Sequence, residues 1–360
     1  MKKQILTAAL FAVAAFRLAA QVDTLIPLIL TDTLYVLPPN EAEFSTPITH
    51  SNLKREDLQR LNFGQDGTFL LSQLTPSLTV HSDAGSYQGY SYMRLRGIDQ
   101  TRINLSINGI PLNEPEDQGA YFSNHADLLN SATNIQVQRG VGLSQNGAAA
   151  YAGNVQISLN HYAQRPELEI GGGYGSFNSY RAYAAYRSGV FFVGKERKGM
   201  MNVTARLSML HSDGFKAHSD NSSQSAYLQA FYSKGHTSLT LLHITGRQAN
   251  QMAWLGVSDS LLRINPRHNG NSEQEKDLFV QSLTALRHAT HINLDDAATL
   301  YWNNTVYYTF LDGNYGFDFN NFLGLPSTSE LYNYAFRSHF IGAYRSEERR
   351  VGKECRSRWS

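Results

Sequence analysis

Two polar stretches carry the side chains best suited to holding a small ligand. Residues 82–92 contain Tyr87, Tyr90 and Tyr92, and residues 112–124 combine Glu114, Glu116 and Asp117 with Tyr121 and Phe122. Aromatic faces stack on a planar ligand and carboxylates bind cations, whereas exposed loops of this composition are often only solvated. Four arginines, Arg94, Arg96, Arg102 and Arg139, suit an anion or, equally, acidic side chains elsewhere in the fold. Catalytic patterns fail on inspection. Gly142 and Gly147 have the spacing of a phosphate-binding loop, but Ala148 and Ala149 follow where a lysine is needed. The glycine-rich run 171–175 opens a strand and not a helix, so it makes no dinucleotide fingerprint. His288 and His291, three apart on a strand, point to opposite faces and are poor joint ligands. His211 and His218 flank a loop and could touch a metal complex or haem, although surface histidines are the commoner case. No Ser–His pair carries the local signature of a hydrolase. These patterns assign no catalytic residue and no metal site.

The elements that must position these side chains fall into two regions of different periodicity. In residues 53–74, Leu58 and Leu61, then Phe69, Leu70 and Leu74, predict two short helices with Gly64 and Gly67 between them. Residues 77–80, 92–98, 103–110, 134–140 and 154–160 read as short strands, and Asn108-Gly109 marks a tight turn. Together they make an α+β domain of about 110 residues. From residue 167 onward the period is two. Val203, Ala205, Leu207 and Met209 alternate with Thr204, Arg206 and Ser208. Leu300, Trp302, Val306, Tyr308 and Phe310 alternate with Tyr301, Asn303, Thr305, Tyr307 and Thr309. Strands of roughly 9 to 13 residues exceed the usual 5 to 6 and suit a tilted bilayer crossing, which favours a membrane barrel over a soluble sandwich. Residues 238–246 are a poor example, because the apolar face switches between Leu241 and Leu242, as a bulge or a shifted register would make it do. About eight strands fit between residues 167 and 344, with 213–223 and 246–277 as long outer loops and 233–235 as a short periplasmic turn.

Composition narrows the function classes. The 360 residues include 31 basic and 30 acidic side chains, a balance that leaves no electrostatic footprint for nucleic acid. A single Cys excludes a disulfide scaffold or a Cys-based zinc site, while 20 Tyr, 18 Phe and 28 Gly in a polar chain favour extended structure. Residues 1–20, with Lys2 and Lys3, an apolar run over 5–16 and Ala19-Ala20, predict a signal peptide. Residues 345–360 break the strand pattern and resemble the translation of a common short-read sequencing adapter. They are expected to be non-native, with the native chain continuing past Tyr344. Removing the six basic and three acidic side chains of that tail, and the three basic ones of the signal peptide, leaves 22 basic against 27 acidic, a net charge of −5. The lone Cys355 leaves with the tail, and a Cys-free exported chain suits the oxidising envelope of a Gram-negative cell.

Four blocks then occur in a telling order: Arg96-Gly97; Asn108-Gly109-Ile110-Pro111; Ile135 to Val137 with Arg139-Gly140; and Ala150 to Ile157. They resemble the plug domain of TonB-dependent outer-membrane receptors. Asn108 replaces an Asp of that pattern, Gln136 a Glu, and Ala152-Gly153-Asn154 a Gly-rich close, so individual plug-to-wall ion pairs do not carry over while the turn chemistry does. The resemblance implies an α+β plug domain followed by an antiparallel transmembrane β-barrel that is incomplete here. Its expected divisions are a signal peptide (1–20), an N-terminal extension with the TonB box (21–49), the plug (50–163), the first part of the barrel (164–344) and the tail (345–360). Asp32, Thr33, Leu34, Tyr35 and Val36 match the TonB box, with 23–26 a weaker second match. Such a segment offers unpaired backbone groups to a partner's sheet edge. By the same resemblance, Arg96, Arg102 and Arg139 are expected to face acidic groups of the inner wall. The loops bearing Tyr87, Tyr90, Tyr92, Glu114, Glu116, Asp117, Tyr121 and Phe122 are expected to face the outer vestibule. The implied function is import without bond breakage: a scarce ligand, an iron complex such as a ferric siderophore ahead of cobalamin or haem, is drawn through the outer membrane. The implied partners are the TonB energy-transducing protein, the ligand and outer-membrane lipid, with no cofactor. A passive porin-like or adhesin barrel and an outer-membrane hydrolase are the alternatives. Eight strands around such a plug cannot close, so the chain on its own is expected to aggregate.

Overall fold

Local signals of residues 50–160 become a small mixed sheet backed by two helices. The computed structural model describes residues 41–42, 46–142, 150–160, 162–194, 198–295, 298–328 and 330–351. The expected signal peptide and the segment 32–36 lie outside them. Strand β1 (His50–Lys54) runs into helix α1 (Arg55–Leu61). Helix α2 (Gly67–Leu74) is capped by Asp66, whose carboxylate accepts from the Thr68 N–H at 3.1 Å, so Gly67 opens this helix instead of lying before it. Then follow β2 (Leu78–Ser82), β3 (Ser91–Leu95), β4 (Ile98–Asp99), β5 (Ile103–Ile107), β6 (Ile110–Pro111), β7 (Asn134–Arg139) and β8 (Gly153–Ser158). One sheet has the order β1-β7-β8-β5-β6, with β5 and β8 parallel, and β2-β3-β4 form a second. Strand β1 has a single apolar residue, Leu53, and gives no strand signal of its own; pairing with β7 along its whole length holds it.

Two positive-φ pairs set the hairpins. Asn108 (φ 50°) and Gly109 (φ 86°) join β5 to β6, and Arg96 (φ 53°) with Gly97 (φ 82°) joins β3 to β4. The Asn108 side chain also accepts from the Leu159 N–H at 3.0 Å, tying the turn to the end of β8. Alternation in β5, β7 and β8 sends Ile103, Leu105, Ile135, Val137 and Val155 into an apolar core with Leu58, Leu70 and Leu71. The opposite face is a ladder of amides. Asn104 donates to Asn154 (2.6 Å), Ser106 pairs with Gln156, Gln138 donates to Gln136 (2.8 Å), and Gln136 donates to Asn52 (2.9 Å). Burial makes unpaired amides costly, and these bonds satisfy most of the ladder, the buried Asn154 amide nitrogen being left over.

From Glu167 the chain lays down one antiparallel wall. Strands β9 (Glu167–Gly175), β10 (Ser179–Arg187), β12 (Gly199–Ser212), β13 (Asn221–Lys234), β14 (Thr237–Gln251), β15 (Lys276–Asp295), β16 (Ala298–Asp318) and β17 (Leu331–Val351) pair in sequence order. A short β11 (Phe191–Val193) pairs beside β12. The run 171–175 is therefore the second half of β9, not its start. In β12 the inward positions Asn202, Thr204, Arg206 and Ser208 are buried, while outward Leu207 and Met209 are 65% and 48% exposed. Apolar groups outside and polar groups inside is the reverse of a soluble sandwich and the pattern of a membrane barrel wall. No helix among the described residues is long and apolar enough to cross a membrane.

The expected irregularity at Leu241 and Leu242 is absent: β14 pairs without interruption on both sides. Leu239 and Leu241 face outward, and Leu242 and Ile244 face inward onto the plug, where they join Tyr227, Leu283, Ala285 and Tyr307 in the core of the small domain. The inner wall is apolar where it meets the plug. Strands β14 and β15 also extend into the expected loop, leaving 252–275 with a short helix α3 (Asp259–Ile264). Residues 345–351, which lack alternation, continue β17 by backbone pairing with β16.

Candidate ligand-binding site

The β2–β3 loop is built around the Asp83–Tyr90 backbone contact (3.1 Å), which brings Tyr90 and Tyr92 to one end of the small domain. The loop after β6 is closed from within by Asn113. Its side chain accepts from the Leu105 N–H (2.7 Å) and donates to the carbonyls of Ile103 (2.9 Å) and Gln118 (2.7 Å). Asp117 accepts from the Gly119 N–H (2.7 Å) and from the Tyr121 hydroxyl (2.8 Å). The two loops meet through their rings. Tyr90 and Tyr92 are near-parallel at 6.5 Å, and Tyr121 stands edge-on to both at 6.0 and 6.4 Å.

These groups line one side of a cavity of about 360 Å³. Tyr90, Tyr92, Glu114, Glu116, Asp117 and Tyr121 all reach it, joined by Asp83 and Asn124. The other side comes from the wall: Met252 and Trp254 beyond β14, Phe279 of β15, Leu311 and Tyr315 of β16, and Phe336 of β17. Leu311 and Tyr315 share the inward parity of Thr305 and Tyr307, so alternation carries a signal for them; Trp254 and Met252 have none.

Two of the expected contacts lie elsewhere. Tyr87 packs edge-on against Phe63 (5.6 Å) and Phe69 (5.0 Å), away from the cavity, because its carbonyl is held by the Asp66 N–H (2.7 Å). Phe122 is buried in the core, its ring against Gly67, where an added Cβ would lie 2.6 Å from a ring atom.

Plug and wall are fastened around the next residues. Gln248 donates to Asn124 (2.7 Å) and to the Tyr90 hydroxyl (2.9 Å), and Asn124 donates to Gln281 (2.9 Å). Gly246 lets the backbone come this close: a Cβ there would lie 1.9 Å from the Asn124 carbonyl oxygen. Deeper, Asp127 takes an ion pair from each of two wall arginines, Arg181 (2.7 Å) and Arg206 (3.3 Å), and Arg55 of α1 reaches Glu169 of β9 (3.3 Å). Both polarities occur: the wall supplies the arginines that grip Asp127, and the small domain supplies Arg55 to a wall carboxylate. Among the described residues no ion pair joins Arg94, Arg96, Arg102 or Arg139 to the wall. Arg96 is exposed in its hairpin turn, Arg102 lies 5.8 Å from the Tyr151 ring, and Arg139 ends β7 opposite Gly153.

Burial acts on Glu114 and Asp83, two of the carboxylates that line the cavity. Glu114 is pushed up to about 7, first by burial and then by the like charges of Asp117 and Glu116. Asp83 is also raised by burial, opposed by the Tyr92 hydroxyl and by Lys216 and His81. The histidines do not converge. His291 meets His236 at 2.6 Å while His288 contacts Asn304, on the other face, and His211 is paired with Asp213. Among the described residues no three His, Cys, Asp or Glu side chains form a group that could hold a metal.

Residues 42–154 match the family model described as TonB-dependent Receptor Plug Domain. The chain also superimposes on the siderophore receptor PiuA from Acinetobacter baumannii, with a TM-score of 0.58, 13% identity, and coverage of 84% of this chain and 42% of that one. The pyoverdine outer membrane receptor FpvA from Pseudomonas aeruginosa PAO1 gives 0.57, 13%, 84% and 42%. BauA, the ferric preacinetobactin receptor from Acinetobacter baumannii, gives 0.56, 14%, 84% and 43%. The chain thus spans less than half the length of these three structures, and at such identities the likeness is one of fold. The comparison with curated proteins gives no match.

Proposed function

We propose that the chain is the N-terminal part of an outer-membrane transporter that imports an iron complex such as a ferric siderophore, because residues 42–154 match the TonB-dependent receptor plug model and lie against an antiparallel wall of the receptor fold. The observation that carries this reading is the cavity shared by two plug loops and the inner wall. A ligand in it touches both bodies at once, so its arrival changes the forces between them. The iron-complex receptors among the structural neighbours support the choice of cargo.

In this reading residues 1–20 export the chain, and Asp32–Val36 pair as an added strand with TonB at the periplasmic side. Pulling on that segment transmits force to β1 and the plug core, and opens a path beside the wall. The work comes from the inner-membrane proton gradient. No bond in the cargo is broken, so the chain acts as a transporter and not as an enzyme.

Deleting residues 21–37 tests it. Iron-starved cells carrying the deletion in the full gene should bind radio-iron complexes at the surface as before and lose energy-dependent uptake. Uptake that survives the deletion would mark a passive barrel instead.

A further inference from the structure

The receptor reading leaves open what kind of ligand the cavity accepts, and its lining is one-sided. Among the described residues it is lined by four carboxylates, Asp83, Glu114, Glu116 and Asp117, and by no Lys, Arg or His. Among the described residues no basic side chain forms an ion pair with any of these four. Lys216, the cation that acts on Asp83, gives its ammonium to the Ala253 carbonyl at 2.6 Å, and His81 is stacked on Tyr92 at 5.2 Å. Like charges held together in a partly dry site repel one another unless a counter-charge arrives from outside. The raised proton affinity of Glu114 comes first from burial and then from the like charges of Asp117 and Glu116.

The rings give the second, independent indication. Tyr90, Tyr92 and Tyr121 form a corner of one stacked and two edge-on pairs, with Trp254, Tyr315 and Phe279 on the facing side. Aromatic faces within about 6 Å attract ammonium and guanidinium groups, most strongly where water is excluded. Carboxylates beside such faces complete a site for an organic cation, and the carboxylates do not converge as holders of a bare metal ion.

We infer that this cavity takes a ligand bearing a positively charged amine or ammonium beside an apolar face, on an iron complex that is neutral or cationic overall, and that it rejects polyanionic complexes. The assignment rests on the receptor reading above and narrows it.

Two probes of comparable bulk separate the possibilities: a monocationic ferric trihydroxamate with a free ammonium arm, and a trianionic ferric tris-catecholate. Binding is measured on outer-membrane vesicles from cells expressing the full gene, through surface-bound radio-iron. The cationic probe should bind at least about tenfold more tightly, a gap that shrinks with added salt. In the double variant Glu114→Gln with Asp117→Asn the gap should close mainly by weaker binding of the cationic probe. Tighter binding of the trianionic probe to the wild-type protein overturns the charge assignment and leaves the receptor reading standing; this comparison needs no variant to fold. A gap unchanged in a double variant whose plug resists trypsin like the wild type also overturns it. No saturable binding of either probe, together with no iron uptake dependent on residues 21–37, overturns both.

Discussion

At Glu114 the sign of the pH dependence follows from the direction of the shift. A carboxyl raised from 4.5 to about 7 keeps, in the folded chain, a proton that the unfolded chain has already released. Its contribution therefore favours folding below about pH 4.5 and is lost as pH rises toward 7. Glu114→Gln should flatten this part of the stability profile, so that the drop in plug unfolding midpoint between pH 5 and pH 8 becomes smaller; an unchanged drop would show that Glu114 titrates as an ordinary surface acid. Gly246 makes a second residue-level case. Since a methyl there would meet the Asn124 carbonyl at 1.9 Å, Gly246→Ala must push the plug loop off the wall. Overpacking of this kind costs about 1 to 3 kcal/mol, and should appear as faster chymotryptic cleavage after Leu112 or Tyr121 with the barrel strands still protected.

Among the elements, the wall strands β10 and β12 converge on one carboxylate of the plug. Asp127 sits in the left-handed region (φ 58°) and its buried side chain meets both arginines, while Ser208 donates to it at 2.7 Å. Asp127→Asn leaves two guanidinium groups facing each other without a counter-charge, a loss on the order of 3 to 5 kcal/mol. Urea titration followed by plug proteolysis should show release at lower denaturant, whereas Arg96→Ala, in an exposed turn, should stay within about 0.5 kcal/mol. Retention of the plug by the Asp127 variant would place the main fastening elsewhere. The contrast shows what was legible in the sequence. Asn108-Gly109 and Arg96-Gly97 announce their hairpins because turn chemistry is local, and the period-two run 202–210 announces which side faces lipid. Asp127 carries no such mark: its value depends on Arg181 and Arg206, more than fifty residues later, arriving at one point through strand register. Of the eight residues expected to face a ligand, six line the cavity, and of the wall residues opposite them only Leu311 and Tyr315 are marked, by their inward parity. Tyr87 and Phe122 have the right chemistry and local packing that turns them away.

For the whole molecule, the wall ends in two edges. Among the described residues, strands β9 and β17 each pair on one side only, and a sheet edge in hydrocarbon leaves backbone N–H and C=O groups without partners. The 360-residue chain, purified in detergent, is expected to associate through these edges into polydisperse species. Light scattering that reports a single monomeric particle would contradict this.

The strands also differ in length along the wall: β9 and β10 have 9 residues each, β15 has 20, and β16 and β17 have 21. About 9 to 11 tilted residues cross a bilayer, so the later strands stand well clear of the lipid. Phe279, Tyr315 and Phe336 sit near the loop-side ends of those strands. Counted from the paired row Arg187, Thr204, Gln229, Leu242, Ala285, Tyr307 and Gly342, the loop-side ends of β10 and of β12 to β17 agree to within three residues. At the other end β15 and β16 run on by ten and nine residues past the point where β10 stops. The surplus of the later strands therefore lies at the short-turn end of the wall, and the aromatic rim of Phe279, Tyr315 and Phe336 owes nothing to it.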